Sequence, residues 1–200
     1  MPRNFQELAF TESVRRAQEH YGGRSADLPG TAAGPDTLGE EEAAFIRARD
    51  SFYLATVSES NWPYVQHRGG RPGFLHVLDA RTLAYADYLG NRQMLSTGNL
   101  AVNDRVALFL MDYPRRERLK ILGHARVEDA RRNPDLISKL AEPGVRKIVE
   151  RIFFIDVVAF DWNCSQHITP RFTAEDVREV IAPLQQRIAE LEAKLAQSPG

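Results

Sequence analysis

Two groups of cationic residues and glycines follow predicted strands of the sequence. The first is Arg68-Gly69-Gly70, and the second is Gly90-Asn91-Arg92-Gln93, which also precedes a predicted helix. Guanidinium groups and backbone N–H groups freed by glycine both donate hydrogen bonds to phosphate oxygens, and a helix N-terminus favours an anion. An isolated Arg-Gly-Gly is typical of a solvated bend. Two such groups in one small protein predict a phosphate-binding site.

A third basic group surrounds the predicted turn at Tyr113-Pro114. A run of this kind is typical of a solvated hairpin tip, but strand alternation puts Arg118 and Lys120 on one face. We expect Arg118 to point into a ligand groove, because it lies further into the strand than the other two arginines. The group consists of Arg115, Arg116, Arg118 and Lys120.

The loop after the last predicted strand reads DWNCSQH and covers residues 161–167. A tryptophan at a strand end, here Trp162, is most often a core residue. Asn163, Gln166 and His167 supply more hydrogen-bonding groups than a connection needs. One interpretation is an aromatic wall with polar groups around a planar ligand; the other is a structural tryptophan beside a surface histidine.

Other kinds of site lack support in the sequence. It has no CxxC or HExxH motif, and its histidines are scattered, so we expect no metal site. Neither a GxGxxG fingerprint nor a P-loop is present. A catalytic nucleophile formed by Cys164 with His167 has only weak support, because the sequence shows no more than a single cysteine near a histidine.

Composition narrows the class of protein. A chain of 200 residues with 43% hydrophobic content predicts one globular domain with a real core. The formal net charge of −1 argues against a nucleic-acid-binding surface. One cysteine, no signal peptide and no long apolar run predict a cytoplasmic protein that neither crosses nor binds a membrane.

Short β-rich runs make up the middle of the chain. Six or seven strands in a domain of this size favour a closed or partly closed barrel, which leaves few exposed sheet edges. The predicted strands are 52–58, 63–68, 73–78, 82–87, 105–112, 118–128 and 152–161. Helices are expected over 5–20, from a capping box at Thr37–Glu40, over 92–102, and over 134–150 with a break at Pro143-Gly144.

The C-terminal segment is different from the rest of the sequence. Apolar residues recur there at spacings of three and four, which predicts an amphipathic helix from residue 173 to about 196 with a kink at Pro183. The helix could pack on its own barrel, pack on a second subunit, or recruit a different protein. The apolar residues are Val177, Ile181, Leu184, Ile188, Leu191 and Leu195.

The segments YVQHRGG, LAYADYLGNRQ and RLKILGHARV resemble the pyridoxamine 5'-phosphate oxidase-like family of FMN-binding proteins. The similarity covers roughly residues 40–171. It implies a mainly β fold with flanking helices (α+β), an FMN-binding split β-barrel. The barrel would span 39–172, after an N-terminal helix and extended arm (1–38) and before the C-terminal helix (173–200).

The resemblance also implies FMN as the cofactor and a homodimer with two FMN sites, each built from both subunits. Arg68 would lie along the ribityl phosphate, Arg92 would bind the phosphate, and Trp162 would reach the flavin across the dimer interface. The implied cofactor-binding residues are His67, Arg68, Gly69, Ala86, Asp87, Asn91, Arg92, Gln93, Arg118, Trp162, Gln166 and His167.

Three functions follow from these features. The leading hypothesis is an FMN-dependent oxidoreductase that exchanges a hydride at flavin N5 with a small molecule or with NADH or NADPH. Gly70–Gly73 stands where the family's oxidases bind pyridoxamine phosphate through a lysine, and their Arg-Leu-x-Pro ending is missing. We therefore expect a different substrate. The alternatives are a flavin-binding or sensing protein without turnover, and a barrel scaffold whose C-terminal helix recruits a partner.

Overall fold

A computed structural model describes residues 3–23, 34–162 and 166–197. Seven strands form one antiparallel sheet in the order β2-β1-β5-β6-β7-β4-β3. All seven predicted strands are present, most of them within two residues of their predicted bounds. They are β1 (Ser51–Val57), β2 (Pro63–Gly69), β3 (His76–Val77), β4 (Thr82–Tyr88), β5 (Arg105–Asp112), β6 (Glu117–Asp129) and β7 (Val149–Trp162).

The helices differ more from the prediction than the strands do. The single helix expected over 5–20 is two helices, because Thr11 caps a new one with its hydroxyl. The helix expected over 134–150 ends at Leu140, and residues 149 and 150 already belong to β7. The helices are α1 (Arg3–Ala9), α2 (Glu12–His20), α3 (Glu40–Arg47), α4 (Leu95–Leu100), α5 (Pro134–Leu140) and α6 (Ala174–Ala196).

The chain divides into two compact units. The first is Met1–Met111 with Arg118–Cys164, and the second is Asp112–Glu117 with Ser165–Gly200. The first unit holds the core of the sheet and helices α1 to α5. The second holds the tip of the β5–β6 hairpin and α6, and within it the Arg171 guanidinium lies 4.9 Å from the centre of the Tyr113 ring.

The sheet curls round its own core. Phe52 of β1 lies edge-on to Tyr85 of β4 at 5.4 Å between ring centres, and Tyr85 stacks on Phe153 of β7 at 4.9 Å. In the order of the strands, β5, β6 and β7 separate β1 from β4. Their contact therefore requires a curved sheet, and burying each of these rings contributes roughly 1.5–3 kcal/mol.

The long strands β6 and β7 bend at a bulge next to Gly123. A Cβ on Gly123 would lie 2.6 Å from the backbone oxygen of Asp156, which is closer than a side chain can approach. Glycine thus lets the two strands come together where they bend. Bulges of this kind raise local twist and help a sheet to close.

Helix α3 packs against the core of the sheet. Its N-cap is Gly39, whose N–H donates to Glu42 Oε2 at 2.9 Å. The capping box expected at Thr37–Glu40 is therefore shifted by two residues along the chain. Phe45 and Ile46 of α3 are buried in the core.

The predicted fold class, mainly β with flanking helices in a split barrel, is confirmed. Among the described helices, none has the length and apolarity needed to cross a membrane.

Candidate functional site

The edge strand β2 of the curled sheet approaches β4, near the other edge, at an ion pair. Arg68 of β2 donates from Nη1 to Asp87 Oδ1 of β4 at 2.6 Å. Strands β2 and β4 are not hydrogen-bonded neighbours in the sheet. This side-chain contact therefore bridges the open seam of the barrel, and a cleft lies along the seam.

Asp87 has a second cationic partner. Arg151 of β7 stands directly opposite Asp87 in the strand register and donates from Nε to Asp87 Oδ2 at 2.9 Å. The side chains of Arg68, Asp87 and Arg151 are only 16%, 9% and 18% exposed. Two guanidinium groups thus share one carboxylate in a partly desolvated place, where charges interact more strongly than in water.

Arg68 keeps unused hydrogen-bonding capacity. Its Nε is buried and has no acceptor among the described residues. Its guanidinium lies over the rings of Phe153 and Tyr85, at 5.2 and 5.7 Å from their centres. Burial raises the pKa of Tyr85, so that its hydroxyl stays neutral beside these charges. A buried donor without an acceptor is costly unless a ligand or water completes it.

The turn after β4 brings a third arginine to the cleft. Asn91 Oδ1 accepts a hydrogen bond from the Gln93 N–H at 3.1 Å, and Arg92 and Met94 adopt left-handed backbone conformations. Arg92 is largely exposed and lies 3.2 Å from Glu150. Helix α4 then begins at Leu95 without a side-chain cap and has only six residues. The predicted binding of an anion here therefore rests on the arginines rather than on the dipole of this short helix.

Two buried polar contacts hold α4 against the sheet. Ser96 donates to Gln66 Oε1 of β2 at 2.8 Å, and Asn99 donates to Thr56 of β1 at 2.9 Å. Ser96 and Thr56 are each 2% exposed. Because α4 follows the Arg92 turn directly, these contacts fix the position of that turn relative to β2.

The cleft has a volume of about 260 Å³. Its charged lining residues are three arginines and one aspartate. Glu150, which is not among the lining residues, pairs with Arg92 and Arg151, so one positive charge is in excess. Burial raises the pKa of Tyr88 at one side of the cleft, and the charge of Glu142 adds to this effect. The lining residues are Tyr64, Gln66, Arg68, Asp87, Tyr88, Gly90, Asn91, Arg92, Gln93, Met94, Leu95, Ser96, Thr97 and Arg151.

The cleft brings together five of the residues that the sequence pointed to: Arg68, Asp87, Asn91, Arg92 and Gln93. Three predicted residues next to these in the sequence, His67, Gly69 and Ala86, do not line the cleft, because side chains alternate along a strand. His67 is exposed and lies edge-on to Tyr53 at 5.6 Å between ring centres. Gly69 is also exposed. The side chain of Ala86 is buried in a separate apolar cluster with Leu140 of α5.

Arg118 and Trp162 do not line this cleft. The Arg118 guanidinium lies 5.7 Å from the centre of the Phe109 ring, and its buried Nε has no acceptor among the described residues. Trp162 donates from Nε1 to Glu42 at 2.9 Å and lies edge-on to Phe45 at 4.7 Å. Within this chain, Trp162 is therefore held against α3, and its predicted contact with a flavin remains a prediction.

The remaining predicted residues belong to the second unit. Gln166 and His167 form an exposed turn, with His167 in a left-handed conformation. Asn163, the third polar residue predicted in this loop, lies outside the described residues, as does Cys164. The prediction that Gln166 and His167 contact a flavin stays open.

Several residues that line the cleft were not predicted from the sequence. Tyr64 and Gln66 lie on the same face of β2 as Arg68, so the two-residue period of the strand was a sufficient signal. Ser96 follows the Arg92 turn within one helical turn. Arg151 gave no local signal, because it reaches the site through the pairing of β7 with β4.

Comparison with known proteins gives a family. The model of the pyridoxamine 5'-phosphate oxidase family matches residues 38–154, more than half of the chain. A comparison with curated proteins gave no match.

Several solved structures are similar in parts. HupZ of Group A Streptococcus is 13% identical over 68% of this chain and 99% of its own, with a TM-score of 0.49. General stress protein 26 from Bacillus anthracis is 16% identical over 65% and 92%, with a TM-score of 0.47. An F420 reductase is 18% identical over 62% and 98%, with a TM-score of 0.45.

Proposed function

This chain belongs to the pyridoxamine 5'-phosphate oxidase family, and from that membership we propose that it is an FMN-dependent oxidoreductase. The proposed cofactor site is the cleft at the barrel seam. There Arg68, Arg92 and Arg151 receive the terminal phosphate of FMN, and Asp87 holds two of these arginines in place.

The shared carboxylate of Asp87 is the observation that carries the proposal. Arg151 and Arg92 also pair with Glu150, so three guanidinium groups share two carboxylates and one positive charge is uncompensated. The buried Nε of Arg68 also lacks an acceptor among the described residues. A phosphate supplies both the missing negative charge and the missing acceptors, because guanidinium groups bind phosphate oxygens through charge-assisted hydrogen bonds. The residues present therefore fit the phosphate end of FMN.

The size of the cleft supports a site shared between two subunits. Its volume of about 260 Å³ lies below the roughly 300–1,000 Å³ of pockets that enclose a whole ligand. We assign the phosphate and the ribityl chain to this cleft, and the flavin ring to a space that a second subunit covers. Apolar side chains on the outer face of β1 and β2 fit such an interface: Tyr53 and Val65 are 40% and 59% exposed.

The chemistry divides between cofactor and protein. When bound, the flavin supplies a redox centre that exchanges a hydride at N5 with a small molecule or with NADH or NADPH. The arginines bind and orient the phosphate, and the Ser96–Gln66 contact holds the turn that carries Arg92. We assign no side chain as acid or base. Trp162 in contact with the flavin of a second subunit is also part of the proposal.

Titration with FMN and with riboflavin tests the site. We expect FMN to bind more tightly, because riboflavin lacks the phosphate. Replacing Arg92 by Ala should weaken FMN binding by about 1.5–3 kcal/mol and leave riboflavin binding nearly unchanged. Arg16→Ala is a matched control, since Arg16 is 69% exposed and pairs with a glutamate, while Arg92 is 66% exposed and also pairs with one. Equal affinity for the two flavins would contradict the assignment.

Two further measurements test turnover and assembly. Anaerobic mixing of the FMN-loaded protein with NADH or NADPH should bleach the flavin absorbance. A bound flavin that no reductant bleaches would favour flavin binding without turnover. Light scattering should give twice the chain mass of 22.6 kDa, and a monomer with full FMN occupancy would contradict a shared site.

A further inference from the structure

The last helix presents an apolar stripe to solvent. Along α6 (Ala174–Ala196), six large aliphatic side chains are between 42% and 67% exposed. Stripes of this kind on a helix are interaction surfaces more often than chance exposure. They are Val177, Val180, Ile181, Leu184, Ile188 and Leu191.

The spacing of the stripe specifies the kind of partner. From Val177 to Leu195 the apolar residues follow one another at intervals of four, three, four, three and four residues, a strict seven-residue repeat. In heptad notation, Ile181, Ile188 and Leu195 occupy position a, and Val177, Leu184 and Leu191 occupy position d. The central positions, with isoleucine at a (Ile181 and Ile188) and leucine at d, have the combination that favours a parallel two-stranded coiled coil.

The flanking charges fit a second copy of the same helix. Arg187 occupies position g, and Glu192 occupies position e of the following heptad. In a parallel, in-register pair, g of one helix faces this e of the other, so Arg187 meets Glu192 twice by symmetry. Arg187 lies 3.0 Å from Glu190 of its own helix, but an exposed pair of this kind is weak and can be exchanged.

Pro183 is compatible with the pairing. It occupies position c, on the outer side of a two-stranded coil, and residues on both sides of it are helical. A proline within a helix removes one backbone hydrogen bond and bends the helix. A bend at an outer position leaves the a and d residues on one side.

We propose that α6 pairs in parallel and in register with α6 of a second copy of this chain, forming a two-stranded coiled coil. The coiled coil is short, with three residues at a and three at d in each helix. Its two helices therefore associate more strongly when another interface already holds the two chains together. The other interface is that of the barrel homodimer of the proposed function, on which this step rests, and joining two interfaces gives the second a high effective concentration.

Disulfide cross-linking of the full chain tests the pairing. Cys164 is the only native cysteine and is first replaced by Ser. In a parallel coil, Leu191→Cys at position d meets itself in the other copy. Gln186→Cys at position f lies on the outer side and is the matched control. Under mild oxidation we expect Leu191→Cys to cross-link at least about tenfold faster than Gln186→Cys.

Charge reversal tests the register. Arg187→Glu places two glutamates opposite each other at each g–e contact, and it should slow cross-linking of Leu191→Cys. Adding Glu192→Arg should restore the rate. Equal rates for Leu191→Cys and Gln186→Cys, or a double reversal that stays as slow as the single one, would overturn the parallel pairing.

The proposed function and this pairing can fail separately. FMN affinity and molecular mass are measured on the same reduced variants. A dimer that binds FMN but cross-links no faster at Leu191→Cys than at Gln186→Cys rejects the coiled coil alone. Rapid, charge-dependent cross-linking in a protein that does not bind FMN supports the coiled coil and rejects the proposed function.

Discussion

Two buried aspartates of the barrel have the same strand geometry and different surroundings. Asp87 on β4 stands opposite Arg151 on β7, and Asp161 on β7 stands opposite Lys120 on β6. Asp87 is 8% exposed and Asp161 is completely buried. Each carboxylate thus has a cation directly across the sheet.

The two sites differ in charge balance. Asp161 has one cation, with Lys120 Nζ at 2.8 Å from Oδ2, and Phe5 of α1 covers that ammonium at 4.5 Å from the ring centre. Asp87 has two cations and opens on the cleft. A balanced, covered pair is typical of a structural contact. A pair with an additional arginine beside a cleft fits the proposed binding of an anionic ligand there.

Breaking the covered pair should have the largest effect on stability. Replacing Lys120 by Met leaves the carboxylate of Asp161 buried without its cation. Removing one partner of a buried ion pair typically costs about 3–5 kcal/mol, and we expect a loss of this size in urea unfolding. FMN affinity, measured under folding conditions, should stay within about twofold, because Lys120 is not among the residues of the cleft.

A double variant is the control for this prediction. Lys120→Met combined with Asp161→Leu removes both charges, and replacing a buried pair by apolar residues is often close to neutral. It should recover most of the lost free energy of unfolding. A double variant as unstable as Lys120→Met would show that packing around Lys120, rather than the unpaired carboxylate, causes the loss.

Breaking the Arg68–Asp87 pair at the seam should lower FMN affinity more than stability, which is the opposite of the effect of Lys120→Met. Arg68→Met leaves Asp87 with Arg151, so we expect the free energy of unfolding to fall by only about 1 kcal/mol. FMN affinity should fall by about 1.5–3 kcal/mol, because a charge-assisted bond to the phosphate is lost. Calorimetry and urea unfolding of the same preparation measure both. Unchanged FMN affinity with a stability loss equal to that of Lys120→Met would make Asp87 a structural site as well.

A neutral contact in the lining of the cleft should have a smaller effect on FMN affinity than the Arg68–Asp87 pair. Ser96→Ala removes the hydroxyl that donates to Gln66, and the loss of such a hydrogen bond costs about 0.5–1.5 kcal/mol. FMN affinity should fall a few-fold, since the contact holds the Arg92 turn. Ser138→Ala is the control, because Ser138 is a helical serine that donates to Asp135 O at an exposed place. Equal effects of the two variants on FMN binding would contradict this positioning role.

Most strands of the sheet could be predicted from the sequence, and so could two of the three arginines of the cleft, Arg68 and Arg92. Strands such as Ser51–Val57 alternate in burial and are bounded by turn residues, and both signals are local. Arg68 and the Arg92 turn were found for the same reason, since glycines and cations stand together in the sequence. The resemblance to a family added Asp87.

What the sequence missed depends on non-local pairing. Arg151 meets Asp87 across 64 residues of chain, and the charged segment before β7 has the composition of a helix. The balance of charge at Asp161 likewise depends on its register with Lys120. Neither signal lies in the neighbouring residues, and the strand register decides which cation faces each carboxylate.

A half-buried base without a carboxylate partner among the described residues extends the comparison. His76 of β3 lies with Nε2 at 3.3 Å from Leu140 O of α5. His76 lines a second cleft, distinct from the one at the seam, whose other charged residues are mostly cations: Arg71, Lys139 and Arg146, with Glu142 as the acid. Burial lowers the pKa of His76 below 6.5, and the hydrogen bond to Leu140 opposes part of this shift.

His76 should therefore give the smallest effect, visible only in the pH dependence of stability. A base with a lowered pKa in the folded state binds fewer protons there than when unfolded, so stability rises with pH. We expect the full contribution of His76 above pH 6.5, and its progressive loss as the pH falls from there through the folded-state pKa. Urea unfolding between pH 7.5 and 5.5 should show a shallower slope for His76→Gln than for the wild type. His20→Gln, at an exposed residue of α2, is the control. A slope that His76→Gln leaves unchanged would show that the wild-type dependence arises at other groups.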